Sequence, residues 1–296
     1  MEVVNSVLEL IGNTPLVRSR SLVTQPGVQL YFKMEGHNPG GSVKDRPALN
    51  MIKSALERGE IDQNSKLIEA TSGNTGIALA MIAGLFNLNM ELVMPENSTR
   101  ERVQTMRAYG AKVTLTSSDV GIEGSRDYAE AKVREEGYVM LNQFGNPDNW
   151  KAHYKTTGPE IWRDTEQKIT HFVSAMGTTG TIMGVSTYLK EKNPGIQIIG
   201  AQPTDESSIP GIRKWPEEYL PSIFDSKRVD RIEEVSEEQA REMTVRMARE
   251  EGIFAGMSSG GCATVATRIA SELEEGIVVC IVCDRGDRYL SSDLFD

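Results

Sequence analysis

Residues 66–86 read KLIEATSGNTGIALAMIAGLF. The five residues before the turn are mostly apolar and predict a strand, residues 71–76 predict a glycine-rich turn, and residues 77–86 predict an apolar helix. In an open α/β sheet such a turn lies at the carboxyl end of its strand, where backbone N–H groups at the start of the helix are free to bind a ligand. The stretch therefore predicts both a fold class and a binding site.

A second unit of the same kind begins at residue 171. It comprises a strand (171–176), the turn GTTGT (177–181) and a helix (182–192). The same patterns predict further strands at residues 91–94, 112–116, 138–141, 197–201 and 277–283, and further helices at residues 98–110, 123–136, 236–251 and 260–274. This alternation predicts an α/β fold with two open, mostly parallel twisted sheets flanked by helices.

Two serines are placed to cap predicted helices. Ser98 precedes the helix that ends at Gly110, and Ser236 forms a capping-box pattern with Gln239. The least regular segment is 203–231, which is rich in proline, serine and charged residues. A loop of this length is functional, disordered or a plain surface excursion.

The composition is that of a folded, acidic chain. Its 296 residues include 32 Lys and Arg and 42 Asp and Glu, for a net charge of −10 at pH 7, so phosphate backbones and anionic membranes would repel it. No apolar run approaches the ~20 residues of a membrane span, and residues 1–12 lack the pattern of a signal peptide. Three cysteines, Cys262, Cys280 and Cys283, are too few for a disulfide framework and indicate a reducing compartment. We expect a cytoplasmic protein with no nucleic-acid or membrane partner.

Metal chemistry has weak support in the sequence. The histidines His37, His153 and His171 have no ligand spacing. Cys280 and Cys283 lie in a predicted strand, where a spacing of three directs the two thiols to opposite faces. A structural zinc site needs about four ligands, so we expect no metal.

A third glycine-rich element, NPGGSVKDR (38–46), carries a lysine. Lys44 follows the Gly-Gly-Ser turn at the expected start of a helix, where the helix dipole would lower the pKa of its amine and favour attack on a carbonyl carbon. The turn 71–76 suits a carboxylate, and the threonine-rich turn 177–181 suits a phosphate. Taken singly, the lysine is more simply a solvated surface cation, and each turn is a tight connection between a strand and a helix.

Together these three elements match the needs of a pyridoxal phosphate enzyme that acts on amino acids. The chain resembles the fold type II pyridoxal phosphate family, and within it the O-acetylserine sulfhydrylases, over essentially its full length. The resemblance rests on IGNTPL (11–16), the three elements above and GMSSGG (256–261), which occur in the family's order and at its separations. Two more stretches, SSIPGIR (207–213) and CDRGDRYLS (283–291), resemble the B class of these enzymes.

The resemblance implies the cofactor pyridoxal 5'-phosphate and a role for each matching residue. Lys44 would bind the cofactor covalently and act as the base for the substrate α-proton. Asn74 would contact the phenolic oxygen of the cofactor, and Ser258 would contact its pyridine nitrogen. The cofactor phosphate would be bound by Gly177, Thr178, Thr179, Gly180 and Thr181. The substrate carboxylate would be bound by Thr71, Ser72, Thr75 and Gln143.

Three residues in the B-class stretches would line the pocket of the second substrate: Arg213, Cys283 and Asp284. The resemblance implies that this pocket accepts thiosulfate as well as sulfide, and a guanidinium pairs well with the extra oxygens of thiosulfate. The simpler interpretations are that Arg213 is a surface-loop charge and that Cys283 is a buried strand thiol.

The function implied is cysteine biosynthesis by β-replacement. O-acetylserine and sulfide, or thiosulfate, would give cysteine, or S-sulfocysteine, and acetate. Such a transferase would act on small molecules and form a homodimer. The domains implied are a smaller one (40–147) and a larger one (1–39 plus 148–296), with the cofactor in the cleft between them.

Two alternatives stay open. The first is another lyase of the same fold, such as a serine or threonine dehydratase or a cystathionine synthase. No regulatory domain is expected after Asp296 and no haem-binding extension before Ile11, which favours the sulfhydrylase. The second is a catalytically inactive sensor, against which the retention of Lys44, Asn74 and Ser258 argues.

Overall fold

The computed structural model describes residues 3–295, so Met1, Glu2 and Asp296, at the ends of the predicted larger domain, lie outside the described residues. The described chain forms two sheets with helices packed on their faces. The strands are β1 (Leu16–Arg18), β2 (Val28–Met34), β3 (Lys66–Ala70), β4 (Asn89–Pro95), β5 (Lys112–Thr116), β6 (His171–Ala175), β7 (Gln197–Pro203), β8 (Arg231–Val235) and β9 (Gly276–Val282). The α-helices are α1 (Asp45–Glu57), α2 (Asn74–Leu85), α3 (Arg100–Ala108), α4 (Gly121–Glu136), α5 (Pro147–Lys155), α6 (Thr157–Asp164), α7 (Gly180–Lys192), α8 (Glu237–Arg246) and α9 (Met257–Ser271).

The larger sheet has six strands in the order β1-β2-β9-β6-β7-β8. Every neighbouring pair is parallel except β1 and β2, which are antiparallel. One apolar cluster covers a face with residues of α8 and α9, and another covers the opposite face with residues of α6 and α7. Burial on both faces explains why β6 and β9 are nearly continuous apolar runs.

The smaller sheet is entirely parallel, in the order β3-β4-β5. Residues of α1, α2 and α3 form the main apolar cluster on one face, and residues of α4 cover the other. The predicted fold class, two mostly parallel sheets flanked by helices, is therefore confirmed. This sheet lies inside the predicted smaller domain, whose limits remain a prediction.

Three local predictions need correction. Residues 138–141 form no strand, because only Val139 makes a bridge, to Leu67, before Asn142 turns into the left-handed region at φ +53. The residue before α3 is Thr99 rather than Ser98, and its side chain makes no capping bond. Helix α2 begins at Asn74, three residues earlier than predicted, so half of the expected turn is helical.

Other local predictions hold. Ser236 and Gln239 form the reciprocal capping box at the start of α8, and a π-helical turn, Met247–Glu251, continues that helix. Over residues 3–295, no helix has the length and apolar character that a membrane crossing requires.

Candidate active site

A cleft with a volume of about 620 Å³ is lined by residues of both sheets. Its walls include the last residues of β3 and β6, namely Glu69 and Ala70 on one side and Ser174 and Ala175 on the other. Carboxyl ends of parallel strands are where ligands bind in open α/β sheets, and the volume is in the usual range for small-molecule sites.

Most of the predicted site residues meet in this cleft. Those that line it are Lys44, Thr71, Ser72, Asn74, Thr75, Gln143, Gly177, Thr178, Thr179, Thr181, Arg213, Ser258 and Cys283. Gly180 is not a lining residue but begins helix α7. Asp284 is also set back from the cleft, buried against Asn74. The roles assigned to these residues remain predictions.

Lys44 lies at the N-terminus of α1, as the residue immediately before the helix. The preceding residue is fixed because the N–H of Val43 donates to the carbonyl of Cys283 at 2.8 Å. Burial lowers the pKa of the Lys44 amine, although the carboxylates of Asp284 and Glu35 oppose the shift. The direction matches the expectation from sequence, with burial as the leading cause. A larger fraction of the amine is therefore neutral, the form that attacks carbonyl carbons and accepts protons.

The turn 177–181 is tightly packed. A Cβ on Gly177 would lie 2.6 Å from the carbonyl oxygen of Gly211, and a Cβ on Gly180 would overlap the side chain of Asn149. Thr179 is held in the left-handed region at φ +67, and its hydroxyl is buried without a hydrogen-bond partner among the described residues. An unpartnered buried hydroxyl at the N-terminus of a helix suits an anion that accepts hydrogen bonds.

The turn 71–76 is open at Gly73 and packed at Gly76, where a Cβ would lie 2.7 Å from Cε of Met106. A Cβ on Gly73 would meet nothing within 4 Å. The hydroxyl of Thr75 donates to Oε1 of Gln143 at 2.8 Å, which joins two of the four residues predicted to bind the substrate carboxylate. Asn149 connects Gln143 to the turn 177–181, because its Nδ2 donates to the carbonyl of Gln143 at 2.6 Å and to the hydroxyl of Thr178 at 3.2 Å. Through the bond between Gln143 and Thr75, the turn 71–76 is linked to the turn 177–181.

Ser258 and Cys283 also line the cleft. Ser258 is buried in the first turn of α9. Burial raises the pKa of the Cys283 thiol to about 12, so the thiol is neutral near pH 7. Cys280 and Cys283 pack into different apolar clusters, on opposite faces of the larger sheet, as their spacing of three residues predicts.

Within residues 3–295, no cluster of three or more His, Cys, Asp or Glu side chains is arranged to hold a metal.

The irregular segment 203–231 forms one wall of the cleft. Arg213 in this segment is exposed, and its guanidinium lies 5.2 Å from the centre of the Trp215 ring. Its backbone N–H donates to the carbonyl of Met176 at 2.8 Å, which anchors the wall to the end of β6. The segment is therefore more than a surface excursion.

Two residues near the turns were not singled out from the sequence. Glu69, buried at the end of β3, lines the cleft, and burial raises the pKa of its carboxyl to about 7. His153 lies between Thr157 and Thr181, with Nδ1 2.8 Å from one hydroxyl and Nε2 3.3 Å from the other. Burial lowers its pKa to about 3, so the ring is neutral. A charged residue in an apolar strand was a visible signal for Glu69, whereas His153 offered none.

A buried ion network lies behind Lys44. Arg46 contacts Glu35 at 2.7 Å and Glu160 at 2.7 Å, and Lys33 contacts Glu160 at 2.8 Å. Burial alone would raise the pKa of Glu35, but Arg46 holds it below the usual value. The network ties α1, which carries Lys44 at its start, to β2 and α6.

Comparisons with known proteins agree with this geometry. A family model described as "Pyridoxal-phosphate dependent enzyme" matches residues 7–284. Cysteine synthase B of Pseudomonas aeruginosa is 56% identical over 291 residues, 98% of this chain and 97% of that protein. Cysteine synthase B of Escherichia coli is 53% identical over 288 residues, 97% of this chain and 95% of that protein. The crystal structure of a cysteine synthase from Entamoeba histolytica superposes with a TM-score of 0.95 at 36% identity, covering 99% of this chain and 91% of that one.

Proposed function

The chain belongs to the pyridoxal-phosphate dependent enzyme family, and from this premise we propose that it synthesises cysteine from O-acetylserine and a sulfur nucleophile. The relatives at 53% and 56% identity carry the name cysteine synthase B. The observation that carries the proposal is the cleft itself, where a lysine amine of lowered pKa lies with a hydroxyl-rich turn and a second, open turn. The reaction is a transfer: the β-carbon of the amino acid exchanges acetate for sulfur.

The residues of the cleft fit the cofactor. The unpartnered hydroxyl of Thr179 and the N-terminus of α7 suit its phosphate, and the buried hydroxyl of Ser258 suits its ring nitrogen. When bound, pyridoxal phosphate supplies a carbonyl that reacts with amines and a ring that withdraws electrons from the substrate α-carbon. A hydroxyl rather than a carboxylate at Ser258 would leave the ring nitrogen of the cofactor unprotonated, which would suit early departure of acetate.

Lys44 carries the proton in this proposal. Its neutral amine would hold the cofactor, and the same amine, when free, would accept the proton from the substrate α-carbon. Acetate then leaves the β-carbon with the electrons of the broken C–O bond. The sulfur nucleophile adds to the same carbon, and the α-carbon regains a proton.

The open turn binds the substrate carboxylate in this proposal. Free N–H groups at the start of α2 and the hydroxyls of Thr71, Ser72 and Thr75 are donors, and the amide of Gln143 completes the set. The linked side chains of Thr75 and Gln143, 2.8 Å apart, must exchange their bond for contacts with the substrate. Closure around the carboxylate would exclude water from the reacting β-carbon.

The sulfur donor meets Arg213 and Cys283 in this proposal, whereas Asp284 lies behind the cleft surface, against Asn74. The thiol of Cys283 is neutral, and the guanidinium of Arg213 is a cation on the wall formed by residues 203–231. A guanidinium can form two parallel hydrogen bonds to the oxygens of thiosulfate, which sulfide lacks. We therefore propose that thiosulfate is accepted as well as sulfide, with S-sulfocysteine as its product.

The test compares sulfur donors on purified protein supplied with O-acetylserine. Arg213→Ala should lower kcat/KM for thiosulfate by about tenfold or more, as expected for a lost charge-assisted pair, and leave sulfide nearly unchanged. Lys214→Ala is the matched control, because the Lys214 amine is already paired with Asp205 and Glu234. Equal losses with both donors would contradict the role of Arg213. Serine, threonine and O-phosphoserine replace O-acetylserine in parallel, and faster turnover of any of them would overturn the assigned substrate.

Three further features belong to the same proposal. The chain forms a homodimer in the cytoplasm, and its domains are 40–147 and 1–39 plus 148–296. The resemblance of the sequence to the family supports the dimer and the domain limits, and the three cysteines support a reducing compartment. Sedimentation analysis should give twice the mass of one chain, and a monomer at every concentration would contradict the dimer.

A further inference from the structure

The side-chain amide of Asn74 is held at both ends. Its Nδ2 donates to Oδ2 of Asp284 at 2.7 Å, and its Oδ1 accepts from Nη1 of Arg288. The same Oδ2 of Asp284 also accepts from the hydroxyl of Tyr289 at 2.7 Å. A guanidinium can only donate and a carboxylate can only accept. A flipped amide would therefore place two donors together at one end and two acceptors at the other, so a single orientation is selected.

Arg288 also reaches the turn before Lys44. Its Nη2 donates to the carbonyl of Gly40, and the N–H of Gly40 donates to Oδ2 of Asp45 at 2.5 Å. Both polar groups of the Gly40 backbone are therefore held. Gly41 has φ +80, and a Cβ there would lie 2.5 Å from the guanidinium, so Gly41 lets Arg288 approach. A Cβ on Gly40 would lie 2.5 Å from the carboxylate of Asp45.

Arg288 donates to an amide oxygen and a carbonyl oxygen, and among the described residues it is therefore not part of an ion pair. It is 7% exposed, yet among residues 3–295 it has no carboxylate within ion-pair distance. Arg46, which is equally buried, contacts the carboxylates of Glu35 and Glu160. A buried cation bonded to amide oxygens is unfavourable for folding alone, which indicates that its directional contacts are the reason for its burial.

We propose that Arg288 is a positioning residue of the cofactor site, which orients the amide of Asn74 and holds the turn that precedes Lys44. An amide nitrogen carries two protons, and Asp284 accepts one of them. The second is left for the phenolic oxygen of pyridoxal phosphate, since Asn74 lines the cleft. The proposal rests on the proposed function only in assuming that Asn74 contacts that oxygen. Arg288 itself does not line the cleft.

A double-mutant cycle tests the proposal. Arg288→Lys keeps the charge but cannot donate to Asn74 and Gly40 together through a planar fork. We expect it to raise the dissociation constant of pyridoxal phosphate, measured by titration of cofactor-free protein, by about tenfold, as for one lost hydrogen bond. Asn74→Ala should raise the constant by at least as much. The double variant should lose less affinity than the product of the two single losses, because part of the effect of the arginine passes through the asparagine.

The visible absorption band of the loaded protein gives a second readout. Arg288→Lys and Asn74→Ala should shift this band in the same direction. The matched control is Arg285→Lys, because the exposed Arg285 lies in the same segment and contacts Asp287 at 3.2 Å. It should change neither the dissociation constant nor the band.

Two outcomes would overturn the proposal. One is an unchanged dissociation constant and band in Arg288→Lys. The other is a double variant whose loss is the product of the single losses, together with a lowered melting temperature of the cofactor-free protein, the signature of a merely structural role. A wild-type protein that binds no pyridoxal phosphate would instead contradict the proposed function.

Discussion

Two strand–turn–helix units face each other across the cleft. Strand β3 leads through the turn 71–76 into α2, and β6 leads through the turn 177–181 into α7. Both turns are rich in glycine and hydroxyls, yet one is packed against neighbouring backbone and side chains and the other has open space at Gly73. The difference suits the ligands we propose: the packed turn holds a resident phosphate, and the open turn admits a carboxylate that comes and goes. In this proposal a similar sequence pattern serves two kinds of binding, and packing adds to the distinction that the threonines of residues 177–181 already indicate.

The strands that precede the two turns, β3 and β6, also differ in the residue that they bury beside the cleft. The penultimate residue of β3 is Glu69 and that of β6 is Ser174, and both are buried and line the cleft. Burial raises the pKa of Glu69 to about 7, whereas a serine hydroxyl does not titrate in this range. The open turn thus lies above a titratable group, and the packed turn lies above a neutral one.

The largest expected effect comes from replacing Lys44, which lines the cleft between the two turns. Lys44→Ala removes the amine that we propose binds the cofactor and moves the proton, so turnover of O-acetylserine should fall by roughly 10³-fold or more. The packed turn should still bind pyridoxal phosphate without a covalent bond. Borohydride reduction followed by mass spectrometry should attach the cofactor to the wild-type chain alone. Turnover within tenfold of wild type would contradict the role of Lys44.

The second effect is a pH dependence of the free energy of unfolding, which we expect from Glu69 in the strand before the turn 71–76. Between its ordinary pKa of 4.5 and its native value of about 7, Glu69 keeps a proton in the folded chain that it loses on unfolding. The free energy of unfolding therefore falls as pH rises through this window. Glu69→Gln removes this contribution and should stabilise the protein at pH 8 by at most about 3 kcal/mol.

Urea denaturation at pH 5 and pH 8 measures this effect. Asp45, whose pKa burial also raises to about 7, contributes a slope of the same sign to wild type and variant alike. Ser174→Ala, at the matching position of β6, should leave the pH dependence unchanged. A Glu69→Gln protein with the full wild-type slope would show that Glu69 does not carry it.

The third effect compares the glycines themselves. Gly180→Ala would push a methyl group into Asn149, and overpacking of this kind costs about 1–3 kcal/mol. Gly73→Ala meets open space at φ −112, so the free energy of unfolding should change by less than about 1 kcal/mol. Denaturation of the cofactor-free proteins measures both. Equal destabilisation would remove the distinction between packed and open turns.

The smallest effects are those of single threonine replacements, which distinguish binding of pyridoxal phosphate from binding of O-acetylserine. Thr178→Val should raise the dissociation constant of pyridoxal phosphate by about tenfold, the value of one hydrogen bond to a charged group. Thr75→Val should leave that constant unchanged and lower kcat/KM for O-acetylserine by about tenfold. Titration and steady-state kinetics on the same preparations decide the matter. The reverse pattern would exchange the roles of the two turns.

The fold was predictable where burial leaves a simple pattern. Strands β3, β6 and β9 are apolar because helices cover both faces of their sheets. Strand β2 was not predicted, since it carries the buried Lys33, whose charge is balanced by Glu160 from a distant helix. The charged edge strand β8 was missed for a related reason: within residues 3–295, no strand pairs with its outer side. Ser98 and Thr99 are both competent caps, so local chemistry alone could not choose between them.

The candidate site was predictable through its turns but not through its supports. Lys44 and the two turns are contiguous stretches of sequence, so resemblance finds them. The contact of Arg288 with Asn74 joins residues 214 positions apart, and no local pattern connects them. Such partners become visible only when the fold brings the C-terminal segment against the start of α2.

The most direct test of the account is acetate release from O-acetylserine in the absence of any sulfur nucleophile. We predict a burst of about one acetate per chain, as expected for a reaction in two half-steps, with a change in the visible absorption band. Sulfide should then restore the original band and yield cysteine. A protein whose band ignores O-acetylserine and that releases no acetate would contradict the account.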